Sequence, residues 1–88
     1  MSVAEAVRFR IAEENPEALL MDGYDDAIIG VGGRCGQPTL VVYDYDKCIA
    51  SLMEDGMTFE EAVDYFSFNC EGAWVGEGTP IILYQPDV

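Results

Sequence analysis

The chain contains no histidine, a single lysine (Lys47) and three arginines, Arg8, Arg10 and Arg34. Without histidine there is no imidazole base, no Ser-His or Cys-His nucleophile pair and no His-containing zinc site. Cysteine is scarce as well. Cys35, Cys48 and Cys70 are an odd number at irregular spacing, which supports neither a disulfide framework nor a four-ligand zinc site within one chain. The N-terminus has no apolar run of the kind a secretory leader needs, and no stretch approaches the roughly 18–20 apolar residues of a membrane span. The expected setting is therefore reducing and cytoplasmic, with no membrane contact.

The shortage of cations has its own consequence. Seventeen acidic residues against four basic ones give a formal charge of −13 over 88 residues. Such a surface repels nucleic acid, because phosphate contacts require Lys or Arg to displace counterions, so direct nucleic-acid binding is excluded. The same field attracts basic surfaces, with screening over about 8 Å at physiological salt. A protein partner with a basic surface is the expectation. Acidity of this kind also arises from solubility alone, and a single acidic ridge would favour a functional reading over that one.

Half of the residues are apolar, including five Tyr, four Phe and one Trp, too many for a disordered acidic tail. A chain of this length forms one core, so residues 1–88 read as a single α+β domain. Ser2 and Glu5 have capping-box spacing ahead of Val3, Ala6, Val7 and Ile11, which predicts a helix over 2–14 ended by Asn15-Pro16. Ala27 to Val31 and Thr39 to Tyr43 read as strands, and the loop between them is too short for a parallel crossover, so they form a β-hairpin. Asp44 or Asp46 caps a helix over 46–55 that ends at Asp55-Gly56, and Thr58 with Glu61 opens another over 58–71. On that helix Phe59, Ala62, Val63, Phe66, Cys70 and Trp74 make an apolar stripe. Pro80 to Tyr84 reads as a third strand. The expected fold is a small three-stranded sheet, containing the hairpin, packed against two to three helices.

Strict alternation in the first strand puts Ala27, Ile29 and Val31 on one face and Ile28, Gly30 and Gly32 on the other. The second and third strands are apolar on both faces and call for cover on both. The two later helices would cover one face, leaving the N-terminal helix or a second copy of the chain for the other. Ile28, Gly30 and Gly32 are thus the candidate homodimer interface, the glycines permitting close approach.

Several constellations have residue types suited to chemistry. The run Gly30 to Gly36 lacks the strand-to-helix context and the Lys-Ser/Thr of a phosphate loop, and a flexible hairpin accounts for it. Asp22, Asp25 and Asp26, with Asp44 and Asp46, suit a hard cation in type, but the calcium-loop pattern is missing and turn or cap roles explain them. Cys35 reads as an ordinary free thiol, and Cys48 and Cys70 as packed. Paired carboxylates are unavoidable with so many acids, and a domain this small has little room for a cavity of about 300 Å³. No catalytic residue, metal site or cofactor is expected. Glu60, Glu61, Asp64 and Glu71, edged by Tyr65 and Phe68, form an acidic and aromatic helix face suited to protein binding. Trp74, among glycines, reads as a core plug.

Four segments carry a resemblance: Asp22-Gly23-Tyr24-Asp25-Asp26-Ala27-Ile28-Ile29-Gly30, Tyr43-Asp44-Tyr45-Asp46-Lys47-Cys48, Asp55-Gly56-Met57-Thr58-Phe59-Glu60-Glu61-Ala62, and Gly72-Ala73-Trp74-Val75-Gly76-Glu77-Gly78-Thr79-Pro80. Over about Asp22 to Leu83 the chain resembles a group of small bacteriophage-associated proteins with no established activity, and the N-terminal helix lies outside that likeness. The resemblance implies a viral origin and a host cytoplasm, and no mechanism. Together these readings give a non-enzymatic binding or regulatory protein, a phage-encoded modulator of a host protein whose acidic surface mimics nucleic acid in the sharpest form. The alternatives are a small homo-oligomeric structural or assembly protein and a hard-cation-binding protein using the Asp clusters.

Overall fold

In a computed structural model, which describes residues 1–71 and 73–86, each helix begins where its sequence supplies a cap. Ser2 and Glu5 close a reciprocal capping box, with the Ser2 hydroxyl accepting from the Glu5 N–H at 3.1 Å, and α1 runs Val3–Glu14. It buries Val7 and Ile11. At its end the Asn15 side-chain amide donates to the Thr39 carbonyl at 2.8 Å, tying the helix exit to the sheet. A 3₁₀ turn, Asp25–Ala27, then leads into β1, Ile28–Gly32.

β1 pairs antiparallel with β2, Leu40–Asp44, as the hairpin reading anticipated. The loop turns at Arg34–Gln37, closed by the Gln37 N–H on the Arg34 carbonyl at 2.9 Å, with Gly36 at φ +75° where a type II turn demands a left-handed residue. The register shifts between Ile28 and Gly30: Ile28 lies opposite Tyr43, and Gly30 opposite the next residue, Val42. One extra residue in β1 makes this a bulge, and a bulge reverses the facing of what precedes it. Ile28 is therefore in the core at 3% exposure and not on the face of Gly30 and Gly32. That corrects the alternation pattern and removes Ile28 from the candidate dimer interface.

Asp44 ends β2 and caps α2, Tyr45–Glu54. Its buried carboxylate accepts from the Lys47 N–H at 3.1 Å and from the Gln85 side-chain amide at 2.9 Å. Gly56, at φ +104°, reverses the chain after α2. Thr58 and Glu61 close a second capping box, and α3 runs Phe59–Phe66, short of the expected 58–71. The backbone widens into a single π turn at Ser67–Glu71. Phe66 is wholly buried, edge-on to Tyr24 at 5.7 Å and to Tyr45 at 5.6 Å between ring centroids. β3, Ile81–Leu83, then joins the sheet parallel to β2, so the strand order is β1-β2-β3 with β2 central.

Val7 and Ile11 of α1 join the same buried cluster as Ile28, Val41, Tyr43, Cys48, Ile49, Leu52, Ala62 and Phe66. All three helices thus cover the face of Val41 and Tyr43, and α1 does not take the opposite face. There Leu40, Val42 and Ile81 remain half-buried. Val42 and Ile81 lean over Gly32, where an added Cβ would lie 3.0 and 3.1 Å from their side chains, whereas Gly30 has open space beside it.

Candidate protein-binding face

The acidic side chains expected on α3 lie away from its apolar stripe: Glu60, Glu61 and Asp64 are exposed. Glu61 is held by its own cap, and the Thr58 N–H on its carboxylate keeps its pKa below the usual carboxylate value. Glu71 lies beyond α3 in the π turn and accepts a hydrogen bond from the Tyr84 hydroxyl. Burial, and then that bond, push the Tyr84 phenol up to about 12. Tyr84 also stacks on Tyr45 with ring centroids 4.9 Å apart, so Glu71 belongs to the far end of β3 more than to the α3 ridge.

The aromatic edge is more exposed than a helical stripe would make it. Phe68 is 89% exposed and Tyr65 45%. Trp74 is 71% exposed, which overturns its assignment as a core plug. The reason is the π turn. The α-helical spacing holds only as far as Phe66, Cys70 in the π turn still packs against the core, and the helix has ended before Trp74, so the stripe does not extend to it.

A groove of about 380 Å³ opens beside Tyr65, larger than the size of the domain suggested. Its floor and walls are mostly apolar, supplied by Leu19 and Leu20, by Tyr65 and Cys70, and by Val75 and Ile82. The groove exists because two irregular segments are clamped together. The Leu19 N–H donates to the Gly78 carbonyl at 2.9 Å, and the Met21 N–H donates to the Tyr43 hydroxyl at 2.8 Å. Gly78 is required at the clamp, since a Cβ there would sit 2.5 Å from the Glu17 carbonyl oxygen. A second depression of about 300 Å³ shares Cys70, Ala73, Pro80 and Ile82 with the first and extends it toward Tyr84. Sequence reasoning missed the groove, because Leu19, Leu20 and Val75 lie outside every periodic segment.

A notch of about 170 Å³ adjoins the groove at Tyr24 and Tyr65, with Asp22 and Asp55 on its rim. No Lys or Arg lines either one. Arg8 is paired with Asp25 at 2.6 Å, Arg10 with Glu14, Arg34 stands in the hairpin loop and Lys47 on α2. The Asp residues considered for a cation are otherwise engaged at Asp25 and Asp44, and among the described residues no group of three or more His, Cys, Asp or Glu is placed to hold a metal. Cys48 is fully buried, which raises its thiol pKa to about 12. Cys70 lies 3.7 Å from the Tyr24 hydroxyl, whose pKa is raised first by burial and then by that contact. Neither thiol has a base beside it that would generate a nucleophile. No described helix is long and apolar enough to cross a membrane.

Comparison with protein-family models, with characterised proteins and with solved structures finds no match to this chain.

Proposed function

We infer that this protein is a non-enzymatic binding module that engages a basic protein surface through α3 and the π turn after it. One observation carries the reading: Tyr65 and Phe68 stand exposed on the same stretch of chain as the exposed Glu60 and Asp64, and Tyr65 lines a groove that no Lys or Arg borders. Exposed rings supply anchor area at low entropic cost, and the acids supply steering and register. The function fits a phage-encoded modulator of a host factor acting in the host cytoplasm. Exposed acidic residues stand on α1, α2 and α3 alike. The reading needs only their summed attraction to a basic partner, and not a phosphate-by-phosphate copy of a nucleic-acid backbone. The test is affinity capture from the host with the wild-type chain and with Tyr65→Ala/Phe68→Ala, eluted in salt steps. The expected result is a basic protein that elutes early in salt and is lost by the double variant. Capture of the same set by both proteins refutes the reading, and competition by DNA for the captured partner would restore the mimic form.

A second reading rests on the outer sheet face, where Leu40, Val42 and Ile81 are half-buried, no described helix packs over them, Trp74 and Glu77 border Leu40 and Ile81, and Gly30 is open. This face would take a second copy of the chain. Sedimentation over a range of concentrations tests it, with Val42→Lys expected to abolish any dimer, and a strict monomer at high concentration removes the proposal.

A further inference from the structure

We propose that the groove and the notch beside it form one composite docking site for a segment of a partner protein that carries a large apolar side chain next to an arginine or lysine. This rests on the protein-binding reading above and names what the partner must present. The two depressions share Asp22, Tyr24 and Tyr65, so neighbouring side chains of one segment reach both at once. The larger one, about 380 Å³ and walled by Leu19, Val75 and Ile82, has the volume and chemistry for a Leu, Phe or Trp anchor. The smaller one is lined by Asp22, Asp55 and Tyr65, two carboxylates and an aromatic ring that suit a cation.

Charge complementarity selects the occupant. Among the described residues, Asp22 is the only charged one along the larger groove, and Asp22 and Asp55 are the only ones along the notch. On a chain of charge −13, a second copy would bring further carboxylates to an already acidic rim. An acidic or neutral segment would leave Asp22 and Asp55 unpaired as water is displaced, whereas a basic one answers both. The apolar anchor distinguishes the site from general attraction to an acidic surface, because steering alone does not fill a cavity. Cys70 and Ala73 continue the floor toward the second depression and give a longer segment somewhere to run.

The experiment uses three fluorescein-labelled synthetic peptides of equal length, with alternating Arg and Leu, Arg and Ser, or Glu and Leu, and measures their anisotropy with the full chain. The Arg-Leu peptide should bind at least about tenfold more tightly than the Arg-Ser peptide, the increment one buried aliphatic side chain supplies. The Glu-Leu peptide should not bind. Ala73→Phe, which fills the floor, should erase the advantage of leucine and leave Arg-Ser binding unchanged. Asp22→Asn/Asp55→Asn should weaken both Arg peptides by about tenfold, and Glu13→Gln/Asp46→Asn, the same charge change made elsewhere, by less than about twofold. Circular dichroism melts of every variant establish that it is folded. Equal binding of the Arg-Leu and Arg-Ser peptides, or equal effects of the two charge-neutralising pairs, overturns the composite site. The broader reading fails separately, through retention of the captured partner by Tyr65→Ala/Phe68→Ala.

Discussion

Replacing Gly78 with alanine tests the clamp that shapes the groove. The new Cβ would lie 2.5 Å from the Glu17 carbonyl oxygen and 3.4 Å from Leu19 Cγ, and real Cβ atoms essentially never approach within 3.0 Å. The obstacle is backbone, which cannot rotate away as a side chain would. The 17–19 segment must therefore retreat from the 76–79 turn by roughly half an ångström or more, stretching the Leu19 to Gly78 hydrogen bond from 2.9 Å. Overpacking of this kind costs about 1–3 kcal/mol, and loss of the bond about 1 kcal/mol more. Removing a glycine from the unfolded chain returns about 0.4–1 kcal/mol. The net destabilisation is about 1–3 kcal/mol, a fall in Tm of roughly 5–20 °C for a domain of this size. Gly30→Ala is the matched control, because nothing lies within 4 Å of that Cβ, and its Tm should change by no more than a few degrees. Thermal circular dichroism and urea midpoints read both. A Gly78→Ala protein as stable as the wild type would mean that the two segments do not meet, and the groove would lose its wall.

Three further outcomes follow from the interior and the ionisable groups. Phe66→Ala removes a wholly buried ring and its edge contacts to Tyr24 and Tyr45, at a cost of about 3–5 kcal/mol, so its far-ultraviolet spectrum should show substantial unfolding at 25 °C. Of the three thiols, exposed Cys35 should react promptly with a colorimetric disulfide reagent in the native protein, while Cys48, buried and pushed up to about 12, should react only on unfolding. Tyr84 is raised from 10 to about 12, so its contribution to stability is complete below pH 10 and is lost as pH climbs through 12. Tyr84→Phe should flatten that alkaline limb in melts taken from pH 9 upward, and an unaltered limb would assign it to other groups.

The parts legible in the sequence were those written by local chemistry. Both capping boxes, the Asp44 cap, the glycine after α2 and the hairpin are each encoded within a few neighbouring residues, and each is present. The failures share a cause of a different kind. The bulge at Ile29 and the π turn at Ser67–Glu71 each alter the count of residues per repeat, and no residue type announces such a change. A face assignment carried across either one by simple periodicity then fails. Ile28 moved from a supposed interface to the core, and Trp74 from the core to water. The groove was beyond reach for a further reason, since it depends on a meeting of residues 19 and 78 that only the finished fold brings about.

β3 reaches its place beside β2 only after the chain has passed through two helices, pairing Val42 with Ile81 across 39 positions. The hairpin and the capped helices can assemble from near neighbours, whereas this last pairing must first pay the entropy of closing a long loop. A strand of three residues at the margin of a sheet should consequently be the latest to dock and the earliest to exchange its amide hydrogens. Pro80 and Ile82 carry one wall of the groove, so the cavity comes and goes with that strand. Any molecule seated there would act as a fastener, and slowed hydrogen exchange along residues 81–83 would register its arrival.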